Sequence, residues 1–294
     1  MPKRAAANFQ SRGDGTQREL FGGLRVLSFE HRRAQEMQSL IARCGGVSTN
    51  IAVLHEEELR DDLVAQFARA LLENRVDIAI FTTASGVRLL FRQIEEIMAR
   101  ADWTSAMSRV QVVARGAQTV AALDDLKIAV ALIVPAPHTW RETLSSIQKS
   151  DLISLRGKRV AVQESGAPNR ALMRTLAARG AQVSRIRVYK WALPLDTAPI
   201  LRAINGVIEG AFDVVLWTNG AQVWHVFQLA DRNGIEDEFR RALRRLVVAS
   251  VGPNCSEALR EWEIVPTLEA PQSRLDELVF STALFASRLR AASP

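Results

Sequence analysis

The sequence is poor in cysteine, has a single tyrosine and contains no long apolar run. Cys44 and Cys255 are the only cysteines in 294 residues, so no disulfide framework is available and a reducing compartment is expected. A chain of this length buries enough apolar surface to fold without such staples. No stretch approaches the roughly 20 consecutive apolar residues of a membrane span, and no membrane partner is expected. The four histidines, His31, His55, His138 and His225, show no metal-ligand spacing with one another or with the cysteines, so no metal is expected. No G-x-S-x-G elbow, Walker A loop or G-x-G-x-x-G after a strand occurs, which disfavours serine hydrolysis and nucleotide-dependent chemistry.

Residues 1–22 are basic and polar but lack the apolar centre of a secretory signal, and they read as a disordered leader. Lys3, Arg4, Arg12 and Arg18 would suit a nucleic-acid arm. Two acids interrupt them and no aromatic run accompanies them, so no nucleic-acid partner is expected. The net charge of +6 comes from 38 Lys and Arg against 32 Asp and Glu, scattered over helical faces such as RRALRRL (Arg240 to Leu246). That balance alone fits nucleic acid, an acidic metabolite or no charged partner.

Beyond the leader, short apolar runs alternate with longer amphipathic ones. LRVLSF (Leu24 to Phe29) precedes a helix ending at Gly45-Gly46, and VDIAIF (Val76 to Phe81) precedes another. Further strands are predicted at Val110 to Val113, Ile128 to Val134, Arg159 to Val162, Val183 to Val188, Asp213 to Trp217 and Leu246 to Val251. Continuously apolar strands separated by helices indicate an α/β fold with parallel sheets covered on both faces. An internal repeat runs through this pattern. DIAIFTTASGVRLLF from Asp77 aligns with DVVLWTNGAQVWHVF from Asp213, an offset of 136. VVARGAQTVAAL (Val112 to Leu123) aligns with VASVGPNCSEAL (Val248 to Leu259), and Met37, Leu40 and Arg43 align with Met173, Leu176 and Arg179, at the same offset.

Thr139 with Glu142 has capping-box spacing, and Asn254 with Glu257 a similar one. Gly45, Gly180 and Gly234 stand where helices should stop, and Tyr189 to Pro199 reads as an extended connector. Trp217 and Trp224, seven residues apart, read as core.

Polar turns at the carboxyl ends of the predicted strands are the candidate site, because ligands of open α/β sheets bind at that edge. They supply Ser28 and Arg32; Thr82, Thr83 and Ser85; Arg115 and Gly116; Glu164, Ser165, Asn169 and Arg170; Thr218, Asn219 and Gln222; and Gly252, Asn254 and Cys255. Free N–H groups at helix starts suit carboxylates, so a cleft between two such sheets would offer many donors to one polyanion. Taken singly, Thr83, Ser85, Asn219 and Asn254 read more readily as helix caps; six such turns in a duplicated chain carry more weight.

The stretch RVAVQESGAPNRALMRTLAARGAQVSRIRVYKWALP (Arg159 to Pro194) resembles the central motif of uroporphyrinogen-III synthases. SFEHRRAQEMQSLIARCGG, PAPHTWRETL, DVVLWTNGAQVWHVF and VGPNCSEAL support the resemblance, which covers Leu24 to Leu278. It implies two flavodoxin-like parallel-sheet domains joined by a two-stranded connector, one combining 23–53 with 192–290 and the other spanning 54–191. It also implies a cytoplasmic, monomeric lyase without cofactor. The substrate would be hydroxymethylbilane, a linear tetrapyrrole polycarboxylate, closed to uroporphyrinogen III with ring D inverted. Tyr189, matching the tyrosine that closes the family motif, is the implied proton donor near the cleft mouth, and Arg32, Arg115 and Arg170 would pair with substrate carboxylates. Two turns depart from the family pattern. Thr218-Asn219-Gly220 stands where Thr-Ser-Ala is usual, and Gly252-Pro253-Asn254-Cys255 where Gly-Pro-Thr-Thr is usual. Those departures leave a second reading, a non-catalytic tetrapyrrole-binding sensor or partner module. The repeat alone would also permit an unrelated two-lobed anion-binding protein.

Overall fold

The computed structural model describes residues 19–292; the first 18 residues of the expected leader lie outside them. Twelve strands run through the described chain: β1 (Arg25–Ser28), β2 (Val47–Asn50), β3 (His55–Glu58), β4 (Ile78–Phe81), β5 (Gln111–Arg115), β6 (Leu132–Val134), β7 (Arg159–Gln163), β8 (Gln182–Ile186), β9 (Tyr189–Ala192), β10 (Val214–Trp217), β11 (Val247–Ser250) and β12 (Leu268–Glu269). They form one five-stranded sheet in the order β12-β11-β10-β1-β2, a second in the order β6-β5-β4-β7-β8, and a separate pair, β3-β9. Neighbouring strands within the two large sheets run parallel. Among the described residues no helix is long and apolar enough to cross a membrane.

The chain divides into two compact units. Unit 1 joins the residues up to His55 with those from Leu193 onward, and unit 2 is Glu56–Ala192. The resemblance had set the corresponding boundaries at 53/54 and 191/192.

In unit 2 the alternation along each strand separates two cores. Ala79 and Phe81 of β4 join Phe91, Trp103 and Val112 on one face, while Ile78 and Ile80 join Leu144, Val160 and Leu176 on the other. Successive side chains point to opposite faces, so a strand buried on both sides reads as an unbroken apolar run. All four residues of β4 and of β10 are buried.

The duplication is structural as well as textual. The 136-residue offset carries β4, β5 and β6 onto β10, β11 and β12, and β7-β8 takes the place of β1-β2 in the sheet order. Register fixes the correspondence: Val160 lies beside Ile78 as Val26 lies beside Val214. One side-chain device is repeated with it. Asp77 accepts from Arg159 N, Nε and Nη2 at 2.8, 2.9 and 2.8 Å, and Asp213 accepts from Arg25 N, Nε and Nη2 at 2.8, 3.0 and 2.8 Å. Each pair ties the two central strands of its sheet together at their starts. The Arg159 guanidinium holds the Asp77 carboxyl down to a pKa of about 2, and Arg25 lowers that of Asp213.

Some local expectations hold and others need correction. The leader boundary at Gly22 is too late, because Phe21 is fully buried in the unit 1 core and its N–H reaches Cys44 O at 2.8 Å. Thr139 and Glu142 do form a capping box. Asn254 caps nothing: the helix Pro253–Glu261 starts from Gly252 with no side-chain cap, because Pro253 takes the first helical position and leaves Asn254 one residue inside. Gly45, Gly180 and Gly234 all adopt positive φ, as helix-terminating glycines do. Trp217 is buried in β10, whereas Trp224 is 47% exposed, so the two do not share a core face.

Candidate functional site

In both units the central strands carry their polar residues at the carboxyl end, where the strand order reverses direction, the edge at which open α/β sheets bind ligands. Unit 1 meets the donors there with its own groups. Glu30, just past β1, is buried; one carboxylate oxygen accepts from the backbone N–H of His31, Arg32 and Arg33 at 3.1, 2.9 and 3.1 Å. The other oxygen accepts from the Thr218 hydroxyl at 2.7 Å. Burial alone would raise the Glu30 pKa, but the Thr218 hydroxyl and the Arg33 and Arg32 amides outweigh it and hold it below the ordinary value. Ser28 donates its hydroxyl to Asn50 Oδ1 at 2.6 Å, and Asn50 Nδ2 returns to Glu30 O at 2.8 Å. The N–H groups expected to greet a ligand after β1 are therefore occupied by a side chain of the same turn. Arg32 is exposed.

The turn after β10 is closed by a helix residue. Gln222 Oε1 accepts from Thr218 N and Asn219 N, both at 3.1 Å, and Asn219 completes a capping box with it. After β11, Gly252 and Cys255 are buried and Asn254 is exposed. Burial pushes the Cys255 thiol up to about 12.

Unit 2 solves the same problem from a different chain position. Gln163, at the end of β7, turns its Oε1 toward Thr82 N and Thr83 N at 3.1 and 3.2 Å, while the Thr82 hydroxyl donates to Gln163 O at 2.8 Å. The helix position that carries Gln222 in unit 1 is Gly86 here, and a Cβ at Gly86 would stand 2.1 Å from Gln163 Nε2. The strand counterpart of Gln163 is Phe29, buried against Trp217 at 4.6 Å between ring centroids. The closing amide has changed places between strand and helix, with glycine making room for it.

Thr83 caps the helix Ala84–Glu95, its hydroxyl accepting from Gly86 N at 3.2 Å and standing 3.2 Å from the Tyr189 hydroxyl. Ser85 donates to Glu56 at 3.2 Å. Glu164 is buried and forked onto Arg185, with Nε–Oε1 at 2.5 Å and Nη2–Oε2 at 3.1 Å. Ser165 O accepts from Trp191 Nε1 at 2.9 Å, Asn169 caps the helix Arg170–Ala178 through Leu172 N at 2.9 Å, and Arg170 is exposed. Gly116, at φ +81°, opens the helix Ala117–Asp125. Arg115 is drawn inward, its Nε donating to Thr82 O at 3.0 Å, and burial lowers its pKa against an opposing pull from Tyr189. A cavity of about 20 Å³ lies beside it, lined in part by Thr82, Gln163, Ser165 and Asn169.

Tyr189 differs most from expectation. It opens β9, as the expected start of the connector, but it is fully buried, and its ring meets Trp191 edge-on at 5.6 Å. The turn after β7 lies over it: a Cβ on Gly166 would come within 2.8 Å of the Tyr189 ring and 2.5 Å of Trp191 Nε1, and Gly166 has φ +82°. Only glycine suits that backbone and that separation. A larger open groove of about 580 Å³ runs along the helix Ala34–Arg43, between Arg33, Arg43 and Arg274, and holds none of the expected site residues. The sequence reading missed Gln163 and Asn50 and gave Glu30 no role. The available signal was a polar residue placed directly after a buried apolar strand.

Comparison with known proteins adds the following. Residues 35–279 match the model of a family described as uroporphyrinogen-III synthase HemD. Over 269 residues the chain is 28% identical to an uncharacterized Bacillus subtilis (strain 168) protein, YjjA, across 90% of this chain and 96% of that one. A crystal structure of a mutant uroporphyrinogen III synthase from the extremely thermophilic bacterium Thermus thermophilus is similar at a TM-score of 0.66 and 26% identity, covering 90% of this chain and 99% of that one. The wild-type Thermus protein in another crystal form is similar at a TM-score of 0.53 and 25% identity, covering 92% and 100%.

Proposed function

The chain belongs to the uroporphyrinogen-III synthase family, and on that premise we propose that it converts hydroxymethylbilane into uroporphyrinogen III, losing water and inverting ring D. The observation that carries the reading is the family match over residues 35–279, which takes in parts of both repeats. Left alone, the bilane closes to the uninverted isomer, so the protein has to steer a flexible chain as well as speed its closure. Holding reacting ends in a near-attack arrangement is the main source of rate in such a step. The residues proposed to hold the substrate are the exposed and half-exposed polar groups at the two strand ends, with a donor assisting departure of the hydroxyl. We assign that donor to Tyr189, which hydrogen-bonds the Thr83 hydroxyl at 3.2 Å; the turn at Gly166 has to part before a substrate can reach it. We further propose that the protein works as a cytoplasmic monomer without a cofactor.

The second reading, a tetrapyrrole-binding module without catalysis, is favoured by the full burial of Tyr189 and by Cys255, which replaces an expected hydroxyl and is itself buried. One assay separates the two. Fresh hydroxymethylbilane is supplied, the product is oxidised, and the type I and type III porphyrins are resolved. Catalysis gives type III; type I alone, at the rate of the protein-free control, refutes the synthase reading.

A further inference from the structure

Four other arginines fork onto carboxylates or pair with them: Arg25 with Asp213 in unit 1, and Arg159 with Asp77, Arg185 with Glu164 and Arg187 with Asp61 in unit 2. Arg115 does not. Its side chain makes one hydrogen bond among the described residues, Nε to Thr82 O at 3.0 Å, and no carboxylate reaches its guanidinium. The negative charge that borders the same cavity, Glu164, is already held by Arg185 at 2.5 Å. Even a half-buried guanidinium without a counter-charge costs some stability.

The duplicated frame shows that the fold does not require it. The 136-residue offset that carries Gly116 onto Gly252 carries Arg115 onto Val251. Unit 1 therefore builds the same strand end and the same following helix with an apolar side chain. What accompanies Arg115 is suited to an oxyanion. The cavity beside it, about 20 Å³, has room for a single oxygen-sized group. It is bordered by Ser165 and Asn169, and the helices Ala117–Asp125 and Arg170–Ala178 start at Gly116 and Asn169, bringing their positive ends to this side of unit 2.

We propose that Arg115 is the receptor for one carboxylate-bearing arm of the tetrapyrrole, binding it through the Nη edge of the guanidinium. One carboxylate oxygen enters the cavity and the carbon arm stays outside, because the space admits no more. The proposal rests on the tetrapyrrole reading and adds to it a specificity residue belonging to unit 2 alone. A side-chain carboxylate keeps its charge from ground state to transition state, so Arg115 governs binding and not the chemical step.

The test is a fluorescence titration of the intact protein with uroporphyrin III, comparing wild type with Arg115→Val, Arg115→Lys and Arg174→Met. Arg115→Val copies the unit 1 counterpart and should melt at or above the wild-type temperature. It should bind uroporphyrin III roughly 10- to 100-fold more weakly, the range for losing a charge-assisted hydrogen bond to a charged group. Arg115→Lys should recover part of the loss, having the charge without the fork. Arg174→Met removes an exposed charge from the helix Arg170–Ala178 and should change affinity less than about twofold, as a surface charge does. Coproporphyrin III, whose acetate arms are reduced to methyl groups, identifies the arm: an equal loss for both porphyrins assigns a propionate, and a loss for uroporphyrin alone assigns an acetate. Unchanged affinity of a folded Arg115→Val, an equal loss in Arg174→Met, or no binding by the wild type overturns the proposal. Arg115-dependent binding by a protein that makes no type III isomer refutes the synthase reading alone. Type III formation with Arg115-independent binding refutes this inference alone.

Discussion

In unit 2 the amide that closes the end of β4 comes from Gln163 on the neighbouring strand, and in unit 1 it comes from Gln222 on the following helix. Moving it is a direct perturbation. Gln163→Ala leaves Thr82 N and Thr83 N, now met at 3.1 and 3.2 Å, without their acceptor. At about 1–3 kcal/mol for each unmet buried group, less where water can enter, the loss should be about 2–3 kcal/mol. Gly86→Gln in the wild-type background drives a side chain into Gln163, whose Nε2 stands 2.1 Å from the new Cβ, and should cost about 3 kcal/mol as overpacking. The double variant Gly86→Gln/Gln163→Ala rebuilds the unit 1 arrangement, with the helix glutamine facing two N–H groups in the same place. It should lose no more than about 2 kcal/mol, giving a favourable coupling of about 3 kcal/mol, the upper end for residues in contact. Urea unfolding followed by tryptophan fluorescence reads this, since Trp103, Trp140 and Trp191 belong to unit 2, as do both substituted positions. If the double variant is as unstable as the two single losses added together, the helix position cannot supply the amide and the equivalence of the two ends is wrong.

Tyr189→Phe should slow ring closure roughly tenfold to a thousandfold, as removal of one donor does, with part of the product shifting to type I; a full rate with unchanged isomer ratio makes the hydroxyl a bystander. The Asp77 carboxyl has a folded pKa of about 2, below its ordinary 3.8, so its contribution is complete above the ordinary value and lost as pH falls through about 2. Allowing for the partial exposure of the pair, that contribution is about 1 kcal/mol, and Asp77→Asn should flatten stability between pH 4 and 2 relative to wild type in acid titrations followed by circular dichroism. Cys255, buried and with its thiol pushed up to about 12, should resist iodoacetamide at neutral pH until the protein is unfolded, since the thiolate is the reactive form; rapid native labelling, located by mass spectrometry, contradicts that placement.

What was legible in the sequence followed from burial. β4 and β10 read as strands because helices cover both faces and every residue is apolar. β3, with the sequence His-Glu-Glu-Glu, gave no such signal; Glu58 is held there by Arg92 and by Gln93 at 2.8 Å, partners 34 and 35 residues away. β6 proved shorter than the apolar run from Ile128, because Lys127 takes positive φ and Ile128 N closes the preceding helix on Leu123 O. The strand-end turns were found as places, but not as states. Their donors are met by Glu30, Asn50, Gln163 and Gln222, and which residue meets which depends on strand neighbours that periodicity does not identify. Tyr189 was legible as the residue that opens the connector, but its burial was not, because the turn bearing Gly166 that covers it comes from 23 residues earlier in the chain.

The discontinuity of unit 1 has a consequence for synthesis. Arg25 meets its strand partner Asp213 across 188 residues of chain, whereas every strand of the second five-stranded sheet lies between Ile78 and Ile186. At elongation rates of about 5–20 residues per second, β1 and β2 emerge from the ribosome roughly 10–40 seconds before β10 exists to receive them. Unit 2 can close its sheet during that interval. Meanwhile Phe21, Val26, Met37 and Ile41, all fully buried in the finished protein, have no sheet to cover them. The nascent N-terminal segment is therefore the stretch of this chain that a holding chaperone should meet first.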